Sequence, residues 1–262
     1  EAGKYFLKKQ NRSIGLSEAE LIHIAIKSLG LDDLNEFHPD KKIIEYRMKK
    51  ESDSTLQNLT LKAFADMTAS ESPAPGGGYI SAYLGSLGAA LGTMVANLSA
   101  GKKGWESRLD EFSNWAEKGQ VIKDKLLKAV DEDTAAFNLI MAAFGLPKNT
   151  DAEKQARKDA IKNATMTAIE VPYKVMQLSF ESMQLVKAMA ESGNPNSVSD
   201  AGVGALCARS AVMGAHLNVK INAGGLADKS AVDEILQNAE KIEKAAIKLE
   251  SGQTVRNRQT AL

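Results

Sequence analysis

Three acids in a row, Asp131-Glu132-Asp133, interrupt a stretch whose apolar residues otherwise recur at helical spacing. Aspartate is a poor helix-interior residue, and neighbouring acids repel one another. Successive helical positions point about 100° apart, so only one or two of the three can face the same neighbour. Asp133 precedes Phe137 by one turn and aligns with Ala129 and Ala136, which makes it the acid expected to face inward. Asp131 and Glu132 are then expected in solvent. A single carboxylate partly withdrawn from water can take a proton in one step and return it in the next. The bland alternative is a polar helix face with no chemistry.

Other residues offer binding rather than catalysis. Pro73 and Pro75 lead into Gly76, Gly77 and Gly78, and helical spacing starts at Tyr79. Glycines there permit positive φ or close approach of another group, and free N–H groups at a helix start suit an anionic or polar ligand. Asn194 and Asp200 flank another helix start, where Ser199 or Asp200 as a cap explains the pattern as well as a ligand does. Asn218 and Asn222 lie four apart on one helix face and point to a polar pocket or a buried network. His216 is expected to be structural. Cys207, the single cysteine, reads as a small core residue, and no disulfide can form within the chain. No His or Cys spacing of a metal site occurs. The glycine triplet lacks the phosphate-loop pattern.

The elements that must position these residues are helices. Aromatic residues make up 5% of the 262 and Ala and Met are plentiful, a composition that disfavours strands. Six helices are expected in the main part: Thr60 to Ala69, Tyr79 to Ala100, about Glu106 to Phe144, a Thr150-capped helix to Ser192 kinked at Pro172, Ser199 to Asn222, and Ser230 to Leu249. Two of them, 79–100 and 199–222, carry faces of Gly, Ala and Ser that allow close packing. The fold class expected is all-α, an up-and-down bundle of long helices around these two small-residue-rich central helices. Residues 1–52 read as a separate piece too thin to bury a core alone. It contains a capping box at Ser17 to Glu20 and a polar linker over Lys49 to Ser54. The main domain is taken as 53–262.

Lys plus Arg equals Asp plus Glu, 33 of each, so bulk charge supports neither nucleic-acid nor membrane binding. Ser72 to Gly101 is uncharged and long enough to span a bilayer, but its Ala, Gly, Ser and Thr content reads as a buried core helix. The lone cysteine agrees with a cytoplasmic setting.

Several ordered segments resemble one family: SESPAPGGG, VDEDTAAFN, LPKNT, VPYKV, the GNPNSVSD loop and NVKIN. Together they are similar to formiminotetrahydrofolate cyclodeaminase, the C-terminal half of bifunctional formiminotransferase-cyclodeaminase, over roughly residues 57–250. Residues 1–47 resemble the end of the formiminotransferase half, which implies that the transferase domain lies upstream in the native chain. The resemblance implies an all-helical homodimer or higher homo-oligomer that converts 5-formiminotetrahydrofolate to 5,10-methenyltetrahydrofolate and ammonia, in histidine degradation and one-carbon metabolism. It implies no metal and no cofactor beyond the folate substrate, monoglutamyl or polyglutamyl, and it makes Asp133 the catalytic residue. Under this reading Pro75, Gly76, Gly77, Gly78, Asn194, Asp200, Asn218 and Asn222 form the folate wall and polar pocket. Lys102 and Lys103, with Arg108, are expected to meet the glutamate tail. Tyr79 stands where the family often has a small residue. Two alternatives remain open: a methenyltetrahydrofolate cyclohydrolase on the same fold, and a non-catalytic helical assembly module.

Overall fold

Caps punctuate the chain where its polar residues predict them. In the computed structural model Ser17 and Glu20 form a reciprocal capping box at the start of α2 (Glu18–Ser28), and Thr150 and Glu153 do the same for α8 (Asp151–Ser192). The structure describes residues 1–48, 56–72, 74–226 and 230–260. The polar linker over 49–54, the division placed at 52/53 and Pro73 lie outside the described residues. No strand occurs among those described.

The other helices are α1 (Ala2–Lys9), α3 (Pro39–Lys42), α4 (Ile44–Met48), α5 (Leu61–Thr68), α6 (Gly77–Ala100), α7 (Leu109–Phe144), α9 (Val198–Gly224) and α10 (Asp233–Thr260). The six expected in the main domain are therefore α5 to α10, with ends shifted by up to three residues, except that α10 runs on to Thr260, past the expected end at Leu249. α8 continues through Pro172, which is buried.

Helices α6 to α9 form an up-and-down bundle in which α6 packs against each of the other three and α9 packs against α6 and α8. The register is fixed by glycines. A Cβ built on Gly88 would lie 2.9 Å from the carbonyl oxygen of Gly204, so α6 and α9 cross backbone to backbone. On its other sides α6 meets α7, with Gly119 against Thr93, and α8, with Gly92 against Leu185. These pairings run α7 and α9 antiparallel to α6, and α8 parallel to it. Phe112, Ile122, Leu126, Ile169, Met176, Met183, Leu185 and Met189 fill the spaces between, all essentially removed from water. Each contributes about 1.5–3 kcal/mol by burial. α10 packs across α8 and α9.

The uncharged stretch expected to be a core helix is one. α6 is long and apolar enough to cross a membrane by composition, yet most of that stretch is packed inside the bundle. The N-terminal piece leans on the same bundle. The Gly15 carbonyl accepts from Asn97 Nδ2 at 2.9 Å and from Gln120 Nε2 at 3.1 Å, and Lys4 pairs with Glu117.

Candidate active site

The antiparallel register of α6 and α7 brings the start of one helix against the middle of the other. Asp133 meets α6 at Gly78, where an added Cβ would stand 2.5 Å from Oδ2 and 2.9 Å from Cγ. Glycine is required there because the carboxylate occupies the volume that any side chain would fill. None of Gly76, Gly77 and Gly78 takes a positive φ, so conformational freedom is not their use. Gly76 is extended and caps α6 without a side chain, while Gly77 and Gly78 form its first turn. The Ala74–Pro75 peptide before them is cis.

Burial lifts the Asp133 carboxyl from the ordinary carboxylate range to about 6. Low-dielectric surroundings penalise the charged form, and this keeps a protonated fraction present at slightly acid to neutral pH. The same helix gives its other two acids different tasks. Asp131 accepts from the backbone N–H of Leu56 at 3.2 Å, and Glu132 pairs with Lys174 of α8 at 2.8 Å. Both are half-buried, as Asp133 itself is, which corrects the expectation that they would stand in solvent. Two neighbouring elements, the segment at Leu56 and α8, flank α7 on the sides that helical periodicity alone would assign to water.

From α9, Asn218 reaches the site and lies 3.5 Å from where a Gly77 Cβ would be; its amide donates to Gly214 O at 2.9 Å. Asn222, one turn on, spends its amide on Ala168 O of α8 at 2.6 Å. Asp133, Gly77, Gly78 and Asn218 thus come together at one end of the bundle. Phe137, one turn beyond Asp133, is 40% exposed.

Pro75 and Gly76 lead into the same end of α6, whereas Asn194, Asp200, Lys102 and Lys103 stand apart from Asp133 within the chain. The backbone N–H of Asn194 donates to Ser99 Oγ at 2.8 Å, at the far end of α6, and Asp200 lies in the first turn of α9 at that same end. Lys102 and Lys103 follow the end of α6, with Lys102 Nζ 4.0 Å from the Trp105 ring centre. A 24-residue helix separates the two ends, about 36 Å at the usual rise. The physical reason is the up-and-down topology: the end of α6 and the start of α9 share one end, and Asp133 sits at the other.

His216 points away from the site and places Nδ1 3.0 Å from Glu243 Oε2 of α10, the structural role expected of it. Cys207 is half-buried, and burial pushes its thiol pKa up, so it is no activated nucleophile. No group of three His, Cys, Asp or Glu side chains able to hold a metal occurs among the described residues. Sequence reasoning missed the Glu132–Lys174 pair and the place of Tyr79, which is buried beside Asp133. The only signal for Tyr79 was its position directly after Gly78.

Comparison with known proteins supplies the family. Residues 60–241 match the family described as formiminotransferase-cyclodeaminase, and residues 1–49 match the formiminotransferase domain. A methenyltetrahydrofolate cyclohydrolase of Methylorubrum extorquens is 41% identical over 183 residues, covering 70% of this chain and 88% of that protein. The formimidoyltransferase-cyclodeaminase of Gallus gallus is 36% identical over 238 residues, covering 90% of this chain but 44% of its own length. The chain therefore spans less than half of that bifunctional relative. The crystal structure of formiminotetrahydrofolate cyclodeaminase from Thermotoga maritima superposes with a TM-score of 0.64 at 27% identity, over 79% of this chain and 97% of that one. With a family match that takes in the whole of α6 to α9, and Asp133 within it, the chain belongs to the formiminotransferase-cyclodeaminase family.

Proposed function

We propose that this chain converts 5-formiminotetrahydrofolate to 5,10-methenyltetrahydrofolate with release of ammonia, and that Asp133 carries the protons. N10 of the folate attacks the formimino carbon held on N5. The proton leaving N10 passes to the Asp133 carboxylate, and the resulting acid returns it to the departing nitrogen as ammonia. A group raised to about 6 serves both steps, since neither form is scarce near neutral pH. The carboxylate also favours the cationic amidine and the cationic product by charge. The reaction moves protons and no electrons, so it calls for no redox cofactor. Gly76 to Gly78 and Asn218 line the place where the folate lies, and the first-turn N–H groups of α6, which have no side-chain cap, are available to its polar ring edge.

The observation that carries the reading is the Asp133 carboxyl seated on Gly78 with its acidity tuned by burial. A second reading, methenyltetrahydrofolate cyclohydrolase, is favoured by the Methylorubrum relative. The match of residues 1–49 to a formiminotransferase domain supports the first reading, since the product of formimino transfer to the folate is the substrate a cyclodeaminase consumes. In the native protein that domain precedes this chain, and the pair works in histidine degradation in the cytoplasm. Two copies associate through the outward faces of α6 and α9, where Met94, Leu98, Val203, Leu206, Leu217 and Ile221 are exposed.

The test is ammonia release from 5-formiminotetrahydrofolate by the chain as it stands. Turnover is expected in the wild type and absent in Asp133→Asn, with helical circular dichroism unchanged. Turnover of methenyltetrahydrofolate without ammonia release from the formimino substrate selects the cyclohydrolase. Full activity in Asp133→Asn removes Asp133 from the chemistry.

A further inference from the structure

Tyr79 follows Gly78 in the first turn of α6 and is only 4% exposed. Its ring packs in the cluster that holds Ala129 and Val130 of α7. Its hydroxyl is sealed from solvent, and no described group meets that oxygen at hydrogen-bonding geometry. Burial raises the phenol pKa and keeps it protonated. The nearby Thr134 hydroxyl favours the phenolate as a donor to the oxygen, short of good hydrogen-bond geometry, and leaves the phenol's own proton unspent. The negative charges of Asp133 and Asp131 oppose ionisation. A buried hydroxyl left without a partner is destabilising. Phenylalanine would fill the same space without that cost, so packing does not explain the hydroxyl.

Asp133 has the complementary deficit. Burial raises its pKa, and no side-chain donor to its carboxyl occurs among the described residues. The carboxyl needs no donor while protonated and a strong one once ionised. The other charged groups at this corner are committed elsewhere: Asp131 to the Leu56 N–H, Glu132 to Lys174 and, at 3.9 Å, to Lys128. From α9 the neighbouring polar group is the neutral Asn218. A spare donor and a spare acceptor therefore lie at one corner of the α6–α7 contact, the phenol sealed and the carboxyl half-buried. We propose that Tyr79 is a positioning residue for Asp133, its sealed phenol O–H held in reserve as the hydrogen-bond donor to the ionised carboxylate. The pair closes when Asp133 gives up its proton and opens when the proton returns. The catalytic use of this pairing rests on the reaction proposed above; the pairing itself does not.

The experiment titrates the Asp133 carboxyl directly, by carbon-13 NMR of the aspartate-labelled full chain, with Asp133→Asn to assign the signal. The comparison is wild type against Tyr79→Phe, which removes one oxygen. Loss of the donor is expected to raise the midpoint by about one pH unit, a tenfold change in the ionisation constant. The acid limb of kcat/KM should rise by the same amount, with KM unchanged. Equal midpoints in the two proteins overturn the proposal, whatever happens to activity. A shifted midpoint in a protein that releases no ammonia sustains the pairing and refutes the reaction instead.

Discussion

Substituting Gly78 by alanine separates catalysis from folding. The new Cβ would stand 2.5 Å from Asp133 Oδ2 and 2.9 Å from Oδ1 and Cγ, whereas ordinary contacts begin at 3.4 Å. To relieve this the carboxylate must retreat by about 1 Å, a displacement that can cost on the order of 10²-fold in rate when the group must meet a reacting atom. Stability should change little. Overpacking a core costs about 1–3 kcal/mol, at the low end here because the clash is with the end of a side chain. Replacing glycine by alanine inside a helix returns about 1 kcal/mol. Gly78→Ala is therefore expected to lose roughly a hundredfold in kcat for ammonia release, with a urea midpoint near that of the wild type. Gly224→Ala is the control, since nothing lies within 4 Å of a Cβ there. Gly78→Ala with kcat within a factor of about two of wild type would refute the placement of the reacting carboxylate against α6.

The raised acidity constant of Asp133 also predicts how stability depends on pH. With its pKa moved from 3.8 to about 6, the folded protein holds a proton that the unfolded chain has already released between those values. Unfolding free energy therefore falls as pH rises through that window, and above it the buried charge costs at most about 3 kcal/mol. Asp133→Asn is expected to stabilise the protein in urea melts at about pH 8 and to leave it unchanged at about pH 4; equal effects at both refute the assignment. For the apolar outer face of α6 and α9, Leu206→Glu combined with Leu217→Glu is expected to yield a monomer in sedimentation equilibrium. A dimer that survives both charges places the association elsewhere.

Much of this molecule is legible locally. The caps at Ser17 and Thr150, the stop at Gly145, the small-residue faces of α6 and α9 and the inward turn of Asp133 follow from rules that act within one or two helical turns. Such features are readable because their partners are a few residues away in the chain. Asp131 and Glu132 escaped that logic, because their partners, Leu56 and Lys174, are distant in sequence.

From the sequence alone came the helical class, the order of the helices, the acid that faces inward, and the segments that resemble a folate enzyme. Tertiary structure alone decided which of the marked residues meet. The antiparallel register of α6 and α7 seats Asp133 on Gly78 and brings Tyr79 beside it, while the length of α6 carries Asn194, Asp200, Lys102 and Lys103 to the opposite end. Register is a property of two surfaces interlocking, Gly88 against Gly204 and Gly119 against Thr93. Neither surface specifies its partner until both are folded.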